Sequence, residues 1–409
     1  MGSLSRTAFD ASGYATSEVE AVGLSEERTT TYTRDATTHR VTSVTDPLGR
    51  RTDYGYDTSG NLTSVTRLAG TANPVTTSFT YEPSFNQLAT VTDPLSHATA
   101  FAYDAFGRLT TITDPLSHVT TLTSNSAGQP LTVTNHLNET VTLGYDRGDL
   151  ASLTNALGQT TSRFVDAAGR LVGVTGPLGR TTRFALDPMN RVTSITDAAG
   201  GQTTFTYDGN QNLLTLTDAN GHTTTWTYDD MDRVETRTDP LTRTETYAYD
   251  ENGNLSQVTD RKNQATTHAY DPLDRLSLTT YDDTSTTAYT YDDGDRTTEI
   301  ADSVGGTITR AYDDLDRLTS ETTPEGTVSY TFDAARTADD DGRDGPVADH
   351  LRVRQRGSAH EHLTGDECGV VRVRRGQPAH VADAAERDRD RVRVQRGLAA
   401  HGADVHAVW

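Results

Sequence analysis

The chain has 409 residues, 58 acidic against 36 basic side chains for a formal net charge of −22, one cysteine, and a hydrophobic fraction of only 33%. Ordinary domains reach about 45–50% apolar, so the two or three compact cores that the length would suggest are not expected. No apolar run of about 18 residues predicts a membrane-spanning helix. The first residues lack the apolar region of a signal peptide. A lone cysteine excludes an intrachain disulfide framework, and the acidic balance argues against a phosphate-backbone partner such as nucleic acid.

The composition changes along the chain. Of 73 threonines, 71 precede Phe332, and all 17 tyrosines precede Thr331. The whole charge imbalance also lies in residues 1–333. This segment is a repeat array, less regular over residues 1–56, where Phe9-Asp10 and Arg34-Asp35 are weak first members. The Tyr-Asp dipeptide then sets in at Tyr56-Asp57 and continues through Tyr81-Glu82, Tyr103-Asp104 and Tyr145-Asp146. From Tyr207-Asp208 it recurs every 21 residues, at Tyr228-Asp229, Tyr249-Asp250, Tyr270-Asp271, Tyr291-Asp292 and Tyr312-Asp313. Degenerate members at Ser124-Asn125, Val165-Asp166 and Leu186-Asp187 fill the gaps. A fixed period of this length marks a repeat architecture.

Each unit has one internal order. In Thr203-Thr204-Phe205-Thr206-Tyr207 aromatic residues alternate with threonine. That period of two predicts a half-buried strand with Phe205 and Tyr207 on one face. A turn such as Asp104-Ala105-Phe106-Gly107-Arg108 follows. There Asp104 can cap backbone N–H groups and Gly107 can take positive φ. The next strand, Leu109-Thr110-Thr111-Ile112-Thr113, places Leu109 and Ile112 at opposite parity, so a β-bulge near its start is expected. Asp46-Pro47-Leu48-Gly49 and its relatives Asp93-Pro94-Leu95-Ser96, Asp114-Pro115-Leu116-Ser117, Gly176-Pro177-Leu178-Gly179 and Asp239-Pro240-Leu241-Thr242 read as type I turns back into the next unit. One unit is therefore a β-hairpin, and about 15 units predict roughly 30 strands in an all-β, curved antiparallel ribbon with a Tyr/Leu/Ile inner face and a threonine-rich outer face. A lone hairpin is marginal in water, so stability must come from neighbouring units.

The acidic turns are the candidate cation sites. Asp250 with Asn252, and Asp292 with Asp295, bring several oxygens together, as weak calcium sites do; the competing reading is turn capping. The histidines His97, His118, His222 and His268 are read as turn residues. The Tyr-Asp pairs admit glycan binding, since aromatic rings stack on sugars, but their alternation with threonine favours an inward aromatic ladder. Carboxylates are so common that their spacing singles out no catalytic pair, and no cofactor motif occurs.

From Ala334 the tail is rich in Arg, Val, His, Asp and Ala. Its Arg-Val signature (Arg-Val-Arg at Val353 and Val373, Arg-Val-Gln at Val394) takes steps of 21, 20 and 21 residues from Phe332. Residues 353–360, shifted by one nucleotide, permit Tyr-Asp-Ser-Ala-Gly-Arg-Leu. The change of composition admits a toxin enzyme in the tail, but the persisting period favours another reading: residues 334–409 are expected to be the same repeat in a shifted frame, with the shift near 334–338, and therefore disordered or irregular in structure. On that reading Cys368, His360-Glu361-His362 and the cluster Arg372, Arg374 and Arg375 carry no function.

The Tyr-Asp dipeptide, the Gly-Arg-Leu turn, the Val-Thr-Asp-Pro segment and the 21-residue period resemble RHS/YD-repeat proteins over roughly residues 7–333. The repeat-defining residues are Tyr103, Asp104, Gly107, Arg108, and the Tyr-Asp pairs at 207–208, 228–229, 249–250, 270–271, 291–292 and 312–313. The resemblance implies spiralling β-sheets that wrap into a hollow shell, as in bacterial polymorphic toxins, insecticidal toxin complexes and teneurins. In the toxins the shell encloses a variable C-terminal effector. It further implies a structural rather than enzymatic role and a secreted or cell-surface location. The implied partners are the rest of a shell and its effector, with a glycan or surface receptor as the alternative.

Overall fold

The structure, a computed structural model, describes residues 4–332. The tail reading and its motifs lie outside the described residues. Thirty-one β-strands run from Arg6–Phe9 to Gly326–Ser329. Among the described residues no helix is long and apolar enough to cross a membrane. Two compact units divide the chain near residue 265. The first carries the strands from Arg6–Phe9 to Leu255–Thr259, and the second those from Ala265–Tyr270 to Gly326–Ser329. Within each unit successive strands pair antiparallel, as the hairpin reading predicts.

The register repeats with the sequence. In Gln202–Tyr207 against Leu213–Thr217, Phe205 faces Leu216, Thr204 faces Thr217, and Thr206 faces Thr215. Phe205 is buried and Thr206 exposed, so the aromatic and threonine faces separate as the alternation requires. On the outer face hydroxyls pair across strands, with the Thr206 and Thr215 Oγ1 atoms 2.6 Å apart. The bulge expected near Leu109 is present, because Leu109 pairs with Tyr103 while Thr111 pairs with Ala102, leaving Thr110 out of the ladder. The same shift recurs in the later hairpins, at Val192, Leu213, Val234, Leu276 and Leu318.

Few apolar side chains are fully buried among the described residues; Val19, Val75 and Phe205 are examples. The inner ladder is half-buried instead, as at Ile112, Val133 and Ile195. A sheet with so thin an apolar face needs further ties between units.

Candidate functional site

Those ties come from the repeat-defining residues. Asp104 opens its turn and accepts the N–H groups of Phe106 and Arg108 on Oδ1, at 2.8 and 3.0 Å. Its Oδ2 accepts Arg108 Nε at 2.7 Å. Gly107 sits at φ 76°, where a side chain would be strained. The guanidinium then reaches forward, and Arg108 donates from an Nη atom to the carbonyl oxygen of Asn125 in the next turn on that edge, at 2.7 Å. Arg191 does the same to Asp208 at 3.0 Å, and Arg296 to Asp313 at 3.0 Å. These bonds to the guanidinium hold the Asp104 carboxyl below its ordinary range, Arg108 contributing most.

The tyrosine completes the link from the other side. Arg191 lies over the Tyr207 ring, 4.7 Å from its centroid, and Arg233, Arg275 and Arg296 lie over Tyr249, Tyr291 and Tyr312 in the same way. The Tyr207 hydroxyl donates to the carbonyl oxygen of Val192 at 2.8 Å. Val192 follows Arg191 and precedes Thr193, the residue the bulge leaves out of the ladder, so the hydroxyl bonds the backbone beside the interruption. Tyr103 bonds Leu88, Tyr228 bonds Leu213, Tyr249 bonds Val234, Tyr291 bonds Leu276 and Tyr312 bonds Thr297, all between 2.8 and 3.0 Å. Tyr270 ends its strand opposite Leu276, in the equivalent register position. Burial raises the Tyr207, Tyr228 and Tyr249 hydroxyls above the usual phenol range.

Asparagine replaces arginine in some turns and also joins two turns, with a side-chain carboxylate of the next turn as its forward acceptor. Asn212 Nδ2 donates to Asp208 Oδ2 at 3.0 Å and to Asp232 Oδ1 of the next turn at 2.7 Å. Asn254 links Asp250 to Asp274 in the same manner.

The candidate calcium oxygens are engaged in these turns. Asp250 Oδ1 accepts the Asn252 and Asn254 N–H groups, and Asn252 Nδ2 donates to Asp274. Asp292 accepts the Gly294 and Arg296 N–H groups and Arg296 Nε, while Asp295 accepts Arg275. Asp229, Asp271 and Asp313 pair with Arg233, Arg275 and Arg317. No group of three or more His, Cys, Asp or Glu side chains placed to hold a metal ion occurs among the described residues.

His97, His118 and His222 close Asp-Pro-type turns, each with Nδ1 about 3 Å from the aspartate that opens the turn. His268 departs from the turn reading. It lies within the strand Ala265–Tyr270, opposite Thr279, because it is 21 residues after Tyr247 and inherits that tyrosine's place in the inner ladder.

The sequence reading also missed a charged cluster in the first unit. Asp239 and Glu245, 5% and 7% exposed, share Arg261, which bonds Glu245 Oε1 at 2.9 Å and Asp239 Oδ2 at 3.1 Å. Arg243 pairs with Asp239, and Arg237 and Tyr247 bond Glu245. The signal was the break in pattern, with Arg237 and Glu245 at ladder positions that hold leucine and threonine one unit earlier.

The tyrosine link has a direct test. Tyr207→Phe removes one donor to Val192 and keeps the ring, so it should cost about 1 kcal/mol. The urea midpoint would fall with the slope unchanged. An unshifted midpoint would mean that water replaces the hydroxyl without loss.

A family model for the RHS repeat matches residues 37–72, 81–119, 165–203, 190–223, 207–244, 249–286 and 312–336. Together these matches cover more than half of the chain. Among solved structures the chain is similar to TcdB2-TccC3-TEV, at 16% identity, with a TM-score of 0.62, over 81% of this chain and 23% of that one. It is similar to TcdB2-TccC3 over the same shares, at 16% identity and a TM-score of 0.61. The Photorhabdus luminescens Tc holotoxin pore aligns at 15% identity and a TM-score of 0.56, over 81% of this chain and 22% of that one. The likeness is one of fold, and the chain spans less than a quarter of these structures' length. No curated protein matches.

Proposed function

Because this chain belongs to the RHS-repeat family, we propose that it is a length of wall from a toxin-type shell that encapsulates or displays a C-terminal effector. One observation carries this reading. The repeat-defining Tyr, Asp and Arg side chains are spent on binding the neighbouring hairpin, as Tyr207 is to Val192 and Arg191 to Asp208. Such links make a thin sheet self-supporting, which is what a wall requires. The likeness to TcdB2-TccC3, one structure of which was solved without its hypervariable C-terminal region, supports the placement of a variable segment after the array. The partners on this reading are the rest of the shell and its effector, outside the producing cell or at its surface.

We infer further that residues 334–409 are repeat codons read in a shifted frame. Resequencing the locus tests this part, and an intact frame encoding the tail as written would overturn it. Expression of the restored full-length protein tests the wall. The segment after the array should resist trypsin in the intact protein and be digested promptly once denaturant opens it. Equal digestion in both states would refute encapsulation.

A further inference from the structure

The dipeptide Asn-Gly occurs twice in the chain, at Asn220-Gly221 and Asn252-Gly253. Both pairs sit in the same turn geometry. The Asn220 N–H donates to Asp218 Oδ1 at 2.8 Å, and the Asn252 N–H to Asp250 Oδ1 at 2.9 Å. The glycines that follow have φ of 83 and 90°. Each donates its N–H to the carbonyl oxygen of the aspartate that opens its turn, at 3.0 and 3.1 Å. Glycine places no side chain beside its nitrogen, so at both pairs that nitrogen can attack the preceding side-chain amide.

The backbones match, but the side chains are held differently. Asn252 Nδ2 donates to Asp274 Oδ1, 22 residues on, at 2.8 Å. Asn210, at the same place in an earlier turn, donates to Asp232 Oδ1, again 22 residues on, at 2.9 Å. The corresponding residue for Asn220 is Thr242, whose hydroxyl donates to the Leu241 carbonyl oxygen instead. Asn220 is exposed, and its amide has no partner among the described residues. Nothing lies within 4 Å of the point where a side chain on Gly221 would begin, whereas Arg233 Nη1 is 3.7 Å from the same point at Gly253.

We propose that Asn220 is a site of spontaneous deamidation and that the hydrogen bond to Asp274 protects Asn252 from the same change. The Gly221 nitrogen gives up its proton and bonds Asn220 Cγ. The Cγ–Nδ2 bond breaks, and Nδ2 leaves as ammonia with that proton. Water then opens the cyclic imide. Attack at Cγ yields aspartate, and attack at the backbone carbonyl carbon of residue 220 yields isoaspartate. Solvent water is the sole other reactant. The isoaspartyl backbone is one carbon longer inside a turn closed by two bonds, Gly221 N–H to Asp218 O at 3.0 Å and Asp218 N–H to His222 O at 2.9 Å. Conversion therefore loosens this turn, and either product adds a negative charge to a chain already at −22.

Incubation of the full chain in mildly alkaline buffer, followed by peptide mass spectrometry, reads both sites at once. Asn220 should convert about fivefold faster than Asn252, because at Asn252 a surface hydrogen bond must break first. Both aspartate and isoaspartate should form at position 220. Thr242→Asp should slow Asn220 to the rate of Asn252. Its φ of 63° is close to the 61 and 58° at which Asp232 and Asp274 already stand. Asp274→Gly should raise Asn252 to the rate of Asn220. In denaturant the two sites should react alike. Equal rates in the folded wild type overturn the proposal. So does a Thr242→Asp protein, folded by circular dichroism, in which Asn220 converts unslowed. A gap that persists in denaturant would trace the difference to the neighbouring residues and overturn it equally, and aspartate without isoaspartate would exclude the cyclic route. Should Thr242→Asp not fold, Asp274→Gly decides alone, and unchanged conversion at Asn252 refutes the protective bond.

Discussion

Raising the pH above about 10 is expected to unfold the array in a steep transition. Burial raises the pKa of Tyr32, Tyr103, Tyr145, Tyr207, Tyr228, Tyr249 and Tyr289. A group whose folded pKa exceeds its unfolded value contributes stability that is complete below the unfolded pKa. That stability is lost as pH climbs through the folded pKa. The unfolded phenol titrates near 10, so the loss begins there and not at neutral pH. Each extra proton released on unfolding adds about 1.4 kcal/mol per pH unit to the slope, and several of these tyrosines act together. Ionisation is also mechanically direct, because Tyr103, Tyr207, Tyr228 and Tyr249 each need their proton to hold the carbonyl of a neighbouring unit. Tyrosinate absorbance near 295 nm and the far-UV signal should therefore change together. Absorbance that rises through the ordinary phenol range while the β signal persists would show that the hydroxyl bonds do not tie the units.

How the ribbon is built was largely legible in the sequence. The opposite parity of Leu109 and Ile112 required a bulge, and Thr110 is the residue displaced. The alternation around Phe205 fixed which side chains face Leu216 and which face the threonine rows. The links between units were not legible, although their residues were singled out. Tyr207 was read as a ring in a ladder, but its hydroxyl works at a backbone position 15 residues earlier. Arg108 was read as a turn residue, but one of its Nη atoms works 17 residues later. Neither spacing equals the 21-residue period, since each joins different positions of adjacent units, and only the pairing register brings those positions together. His268 was misplaced for the opposite reason. It was grouped with the other histidines by residue type, when counting one period from Tyr247 puts it in a strand.

The charged cluster of the first unit yields the largest single-residue effect. Replacing Arg261 with methionine should cost about 2 kcal/mol, less than the roughly 3–5 kcal/mol of a fully buried pair broken on one side. The discount has two causes. Arg261 is itself 32% exposed, and each carboxylate keeps another partner, Arg243 for Asp239 and Arg237 for Glu245. The remainder is large because both acids are nearly buried and cannot turn to water instead. Methionine retains the apolar stem, so the loss reports the guanidinium and not packing. The side-chain bond from Arg243, then the backbone N–H groups and Arg261, hold Asp239 far below the carboxylate range, and Glu245 is lowered by Arg261 and Tyr247 against the opposing effect of burial. A lowered folded pKa contributes stability that is present above the unfolded pKa, near 4, and is lost as pH falls through the folded value. The difference between wild type and Arg261→Met should accordingly hold from neutral pH to about 4 and close only in stronger acid. Adding Glu245→Gln to Arg261→Met should cost less than the two changes summed, because the second removes the charge that the first left short of a partner. Strict additivity in denaturant titrations, or a difference that disappears already at neutral pH in moderate salt, would show the cluster to be a solvated surface pair worth little.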